Sequence, residues 1–336
     1  MTEVAGRTSL VANWREVLRT GNPPRGRLDP VSKWLVLTRA AVLPMTLTAG
    51  LIAGLLAVGD EGFEPWLLVL AVVGIALAHM ANNLMNDLAD ADAGSDTESY
   101  PRALYAPHPI LSGMISRKGL ATAALAVNVA DLVIMLVLFW QRGWPVVAFA
   151  VAGFLLSFAY TAPPLRLKKR GLGELDVLLV WGPLMVGGTY YAGVGELPWE
   201  VVAASIPYSL LCTTVLMSKH IDKAPWDAPQ GIKTLPVILG ERTSRWLTQA
   251  MMASFYVMVV ACVIAGALPW PALAALGALP ALVKVWKAFD RPRPEKPPRN
   301  FPVWPLWFAP IAFLHTRRAG ALLVLGLLVA AVAGIE

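Results

Sequence analysis

Two acidic clusters stand where apolar stretches of the chain end. Between His79 and Asp96 the chain reads HMANNLMNDLADADAGSD, and Asp222 and Asp227 lie in SKHIDKAPWDAPQGIKTLPVILGER, residues 218–242. Mg²⁺ takes hard oxygen ligands and commonly bridges one or two carboxylates to substrate phosphates. Basic residues surround both clusters: Lys219, Lys223 and Lys233 around the second, and Arg166 and Lys168 in YTAPPLRLKKRGLGELD, residues 160–176. Carboxylates paired across a site with cations nearby point to divalent ions gripping a phosphorylated substrate, most simply a diphosphate.

Placed on a helix at about 100° per residue, His79, Asn82, Asn83, Asn86, Asp87 and Asp90 share one sector of roughly 140°. Polar groups at membrane depth are costly and face protein-lined cavities, so this stripe reads as a working face. Gly94 offers a turn that would return Asp96 to it, whereas Asp92 and Glu98 read as a solvated helix end. Asp222 and Asp227 are five residues apart with Pro225 between them, so the segment must bend if both are to reach one site. Arg166 and Lys168 alternate with Leu165 and Leu167, a spacing that would aim both cations inward, while Lys169 and Arg170 read as charge at a membrane edge. Arg39, inside an apolar run, is a candidate anion contact or an ion-paired arginine. His79 and His220 are candidates for acceptor binding or proton transfer, and Tyr160 for shielding a cation.

The elements that must hold these groups are membrane helices. The 336 residues are 57% hydrophobic and 15% charged, far from the roughly 25% charge of soluble domains. Nine apolar runs approach the roughly 17–25 residues a crossing helix needs, near 34–58, 65–86, 119–140, 144–161, 174–193, 198–218, 244–266, 268–286 and 317–335. They are continuous rather than alternating, which excludes a β-barrel reading. The fold expected is an all-α integral membrane protein, nine transmembrane helices around a central cavity (34–336), preceded by an N-terminal segment (1–33). Phe301 to His315, with three prolines, reads as a half-helix against the bundle.

Lys and Arg crowd the N-terminal segment and alternate connections, while the opposite connections carry little beyond Arg142, Asp60, Glu61, Glu64 and Glu196. The positive-inside rule therefore puts the N-terminus and both acidic clusters in the cytoplasm and the C-terminus outside. The same distribution argues against nucleic acid as the partner of the net +6 charge. Cys212 and Cys262 both fall in apolar runs and read as packing residues.

The three segments together resemble the UbiA superfamily of intramembrane prenyltransferases. Asn86, Asp87 and Asp90 match the first Asp-rich motif and Asp222 with Asp227 the second; YTAPPLRLKKRGLGE, GIKTLPVILG and HPILSGMIS (residues 108–116) resemble further family segments. NLMNDLADADAGSD and FLHTRRAG (residues 313–320) are most similar to the branch that prenylates 1,4-dihydroxy-2-naphthoate for menaquinone. Two departures stand in the substrate site: Ser218, Lys219, His220 and Ile221 replace an Asn- and Arg-containing stretch, and the second Asp pair is one residue wider than usual.

The resemblance implies two Mg²⁺ ions, one on Asn86, Asp87, Asp90 and Asp96 and one on Asp222 and Asp227. They would hold a polyprenyl diphosphate, with Asn83, Asn86, Arg39, Arg166, Lys168, Lys219, Lys223 and Lys233 around the diphosphate and Asp87, Asp90, Asp222 and Asp227 essential to catalysis. Loss of diphosphate would give an allylic cation, shielded in an apolar cavity and captured by an aromatic, quinone-precursor-like acceptor in the lipid bilayer. A membrane terpene cyclase, or transfer to a non-aromatic lipid acceptor, is the alternative within this architecture. A transporter would instead bring its site to broken helices near the midplane.

Overall fold

A computed structural model describes residues 9–23, 28–92, 107–299, 301 and 303–335. Asp96 and Glu98 lie outside these residues. Among the described residues nine helices are long and apolar enough to cross a membrane, and there is no strand. Two shorter helices come first: α1 (Leu10–Thr20) and α2 (Pro30–Leu37). The crossing helices are α3 (Ala40–Ala57), α4 (Pro65–Asp92), α5 (Arg117–Arg142), α6 (Trp144–Thr161), α7 (Gly173–Val194), α8 (Trp199–Asp227), α9 (Glu241–Ile264), α10 (Trp270–Phe289) and α11 (Phe308–Ala333).

The expected first run, 34–58, is broken in two. Thr38 ends α2, and Arg39 takes a left-handed backbone with φ 52° before a 3₁₀ turn opens α3. Asp29 caps α2, accepting from the backbone N–H groups of Val31 and Ser32 at 3.1 and 2.9 Å, and the Trp14 indole donates to the same oxygen at 3.0 Å. One carboxylate thus starts α2 and ties α1 to it.

The half-helix expected over 301–315 is corrected. Residues from Phe308 onward belong to α11, one continuous helix. Pro310 sits in its first turn, where backbone N–H groups have no intrahelical partner to lose. α8 likewise runs past the expected end at 218 as far as Asp227, with Pro207 and Pro225 inside it.

α4 and α8 overshoot the membrane. Their 28 and 29 residues rise about 42 and 44 Å, against a hydrocarbon core of about 30 Å. The polar last turns of both helices project from the same end of the bundle. The opposite end carries exposed Trp66, Trp140, Trp144, Trp199 and Trp270, the amphipathic residues that settle at membrane interfaces. There Arg142 closes the loops, donating to the carbonyls of Gly62, Ala192 and Gly193 at 2.7–3.0 Å.

The main apolar core joins α3, α7, α8, α9, α10 and α11. Small residues let helices approach closely: a Cβ at Gly326 of α11 would lie 2.2 Å from the Pro271 carbonyl oxygen of α10. α5 and α6 turn broad apolar faces outward, among them Leu125, Val133, Phe154 and Leu155. Between these two layers a cavity of about 520 Å³ remains, lined from α3 through α8, from the start of α11 and by the end of α1.

Candidate active site

The polar stripe of α4 lines one wall of this cavity. Near its middle His79 is buried, with Nδ1 2.7 Å from the Thr46 hydroxyl and its ring edge-on to Trp181 at 5.2 Å. One turn on, the Ser157 hydroxyl donates to Asn82 at 2.9 Å, and Asn83 donates to the Thr38 carbonyl at 3.0 Å. The second bond ties α4 to the break before α3. Beyond it the Thr161 hydroxyl donates to the Asn86 carboxamide oxygen.

The carboxylates follow just past Asn86, the last residue of α4 to line the cavity. Asp87 is fully buried and accepts from the guanidinium of Arg39. The left-handed turn at Arg39 aims that side chain across to α4. Asp90 is buried too, and the Lys168 ammonium donates to its two oxygens at 3.0 and 3.2 Å. Arg39 and Lys223 also act on the charge of Asp90. Asp92 is exposed and makes a two-pronged pair with Arg117, both contacts 2.7 Å, which fastens the end of α4 to the start of α5.

The loop after α6 departs from the alternating pattern expected of it. Leu167–Arg170 form a 3₁₀ turn, not an extended strand. Lys168 therefore swings in while Arg166, itself left-handed with φ 47°, stays exposed. Lys169, expected to be mere edge charge, is partly buried in the field of both Asp90 and Asp227. Burial and the neighbouring Lys168 ammonium lower its pKa.

α8 supplies the facing wall and brings only part of its acidic pair to the site. The helix continues through both residues, so Asp222 and Asp227 point about 140° apart. Asp227 is buried on the edge that also carries Lys223 and Lys219, one and two turns earlier. Asp222 is turned to α11, where its two oxygens accept from the backbone N–H groups of Phe308 and Ala309 at 3.0 and 2.9 Å. A carboxylate at a helix N-terminus satisfies orphan donors and meets the positive end of the dipole. Asp222 is a helix cap here, turned to a different partner from Asp227. Lys219 lines the cavity, whereas Lys233 is exposed.

Sequence reasoning singled out Tyr160 and His220 but passed over the acids beside them. Tyr160 lines the wall beside Gly173, where an added Cβ would meet its ring at 3.2 Å and His220 at 3.5 Å. His220 is buried and pairs through Nδ1 with Glu174 at 2.8 Å. Glu174 and Asp176 are both buried near the start of α7, and Asp176 lines the cavity. Acids inside an apolar run were the available signal for both, as they were for Asp131 of α5, another lining residue.

A buried set of acids and cations at the mouth of an apolar cavity defines an intramembrane enzyme, one suited to a substrate anionic at one end and apolar along the rest. Residues 45–316 match the UbiA prenyltransferase family, and the chain belongs to it. It is thus a prenyltransferase, as the resemblance implied.

Among curated relatives it is 24% identical over 246 residues to a 2-carboxy-1,4-naphthoquinone phytyltransferase of Synechocystis, covering 73% of this chain and 76% of that one. It is 27% identical over 264 residues to a 1,4-dihydroxy-2-naphthoate octaprenyltransferase of Haemophilus influenzae, covering 76% and 85%. Among solved structures, the apo form of a UbiA homolog from Aeropyrum pernix aligns with a TM-score of 0.64 at 18% identity, over 85% of this chain and 96% of that one. A homolog from Archaeoglobus fulgidus bound to GPP and Mg²⁺ aligns at 0.51 and 17%, over 87% and 99%. These likenesses carry the nine-helix fold.

Proposed function

We propose that the chain transfers a prenyl group from a polyprenyl diphosphate to an aromatic acceptor of the dihydroxynaphthoate type, with Mg²⁺ as cofactor. The observation that carries this reading is the pairing of Asp87 with Arg39 and Asp90 with Lys168 at the opening of an apolar cavity. The similarity to naphthoate prenyltransferases supports the acceptor class.

The donor set fits a hard cation. Asn86, Asp87 and Asp90 present oxygens on one face of α4, with Asp227 on α8. Among the described residues no three His, Cys, Asp or Glu side chains form a metal-binding group by themselves; phosphate oxygens of the substrate would complete the coordination. Mg²⁺, when bound, would neutralise charge on the departing diphosphate.

The side chains do the rest. Arg39 and Lys168 shift from their carboxylates to the diphosphate as it binds, a charge-assisted exchange of one anion for another. Lys219 and Lys223 approach from α8. Donors fixed before the reaction stabilise charge as it develops on the leaving group. The apolar wall of α5, α6 and α7 keeps water from the allylic cation, and the Tyr160 ring offers it a π-face. His79, held by Thr46 and Trp181, positions the acceptor from the opposite wall. The His220–Glu174 pair stands ready to take the ring proton. The distribution of Lys and Arg supports a cytoplasmic position for the cluster in the cell membrane and an external C-terminus.

Purified protein incubated with a polyprenyl diphosphate, 1,4-dihydroxy-2-naphthoate and Mg²⁺ should yield the prenylated ring by mass spectrometry. A cyclic hydrocarbon formed without acceptor would replace this reading with the cyclase one.

A further inference from the structure

The two acidic clusters are unequal in what they offer a metal. α4 presents Asn86, Asp87 and Asp90 on one face, Asn86 lining the cavity and the two buried carboxylates just past it. α8 presents a single carboxylate there, because both oxygens of Asp222 are held by the backbone N–H groups of Phe308 and Ala309. What stands in its stead is Lys223. It lies four residues before Asp227, about 40° away around the helix axis, is only 6% exposed, and acts on the charge of Asp90 across the site. Lys219 continues the same edge one turn back.

A second divalent ion on Asp227 would therefore sit against a buried ammonium in a region of weak screening. Like charges at that range repel by several times more than they would in water. The residues fit one Mg²⁺ and do not fit two. An ammonium, by contrast, brings its own charge and three donors to phosphate oxygens with no ligand set to assemble.

We propose that this site works with one divalent ion, carried by the α4 cluster with Asp227 facing it from α8, and that the Lys223 ammonium takes the place of the second by contacting the diphosphate directly. The inference rests on the reading of the chain as a prenyl diphosphate enzyme.

The test counts ions. Full-length protein in detergent is titrated with Mn²⁺ in the presence of geranyl S-thiolodiphosphate, a slowly ionising analogue, and followed by electron paramagnetic resonance. One Mn²⁺ per chain with the spectrum of an isolated ion is expected. Lys223→Asp, which returns a carboxylate one turn before Asp227, should bind a second Mn²⁺ and show coupling between the two. Lys223→Met, checked for folding by its melting curve, should keep one ion and bind the analogue roughly tenfold more weakly, the loss of one charged hydrogen bond. Two coupled ions in the unaltered protein would overturn the one-ion site and leave the prenyl diphosphate reading standing. Failure of the analogue to bind at any Mn²⁺ concentration would overturn that reading, and the inference with it.

Discussion

Arg39 leaves the helical backbone at φ 52° and reaches across to the fully buried carboxylate of Asp87, forty-eight residues later. The break between α2 and α3 and the polar face of α4 are thus parts of one arrangement. Removing the cation strands a buried anion. Arg39→Met should destabilise the protein by about 3–5 kcal/mol, seen as a lowered melting temperature in detergent. Asp87→Asn should keep most of the fold and lose turnover. A stable, fully active Arg39→Met protein would show that the pair holds neither fold nor substrate.

Lys168 reaches Asp90 from a loop whose neighbouring charges are more exposed. Lys168→Met should lower kcat/KM by roughly a hundredfold, the order seen when one preorganised donor to developing charge is removed. Arg166→Met and Lys233→Met, both at exposed positions, should each change it less than about threefold, as removal of a solvent-screened charge does. Steady-state kinetics on the three variants decides whether burial sorts these cations.

Asp222 and Asp227 should fail in different ways. Asp222→Ala removes the cap of α11 and should cost about 1–2 kcal/mol of stability, leaving the Mg²⁺ concentration for half-maximal rate unchanged. Asp227→Asn should raise that concentration and depress turnover while the melting temperature moves little. EDTA should abolish activity in the unaltered protein and Mg²⁺ restore it. Equal Mg²⁺ responses in both variants would contradict the division between them.

Asp29 makes the N-terminal contact sensitive to acid. Hydrogen bonds from the Ser32 side chain and backbone, outweighing a small burial effect and joined by Trp14 and Val31, hold its pKa down at about 2 against 3.8. A carboxylate lowered on folding stabilises fully above its unfolded pKa, and that support is lost as pH falls through the folded one. Protection of the Trp14 indole N–H from exchange should thus be flat at neutral pH and decline between about 3.8 and about 2. Asp29→Asn should weaken it at neutral pH and remove the decline.

Much of this molecule was legible in its residues. The nine crossings were set by length and apolarity, and the α4 stripe by its helical period. What escaped was whatever depends on where a helix starts or stops. The break at Arg39 has no Gly or Pro to announce it. Phe308 begins a helix because Asp222, remote in sequence, caps it. The 3₁₀ turn at Leu167–Arg170 reversed the inward and outward sense of Arg166 and Lys169. A local period cannot register a contact made across 86 residues.

The continuity of α8 through Pro225 has a further consequence. Lys219, Lys223 and Asp227 on one edge and Asp222 on another share one continuous helix, so their bearings follow their count along the chain. Deleting one residue between 223 and 226 would swing Asp227 by about 100° relative to the cap, forfeiting either the anchorage of α11 or the acid at the cavity. In this chain a replacement in the stretch leaves those bearings in place, whereas a change of length does not.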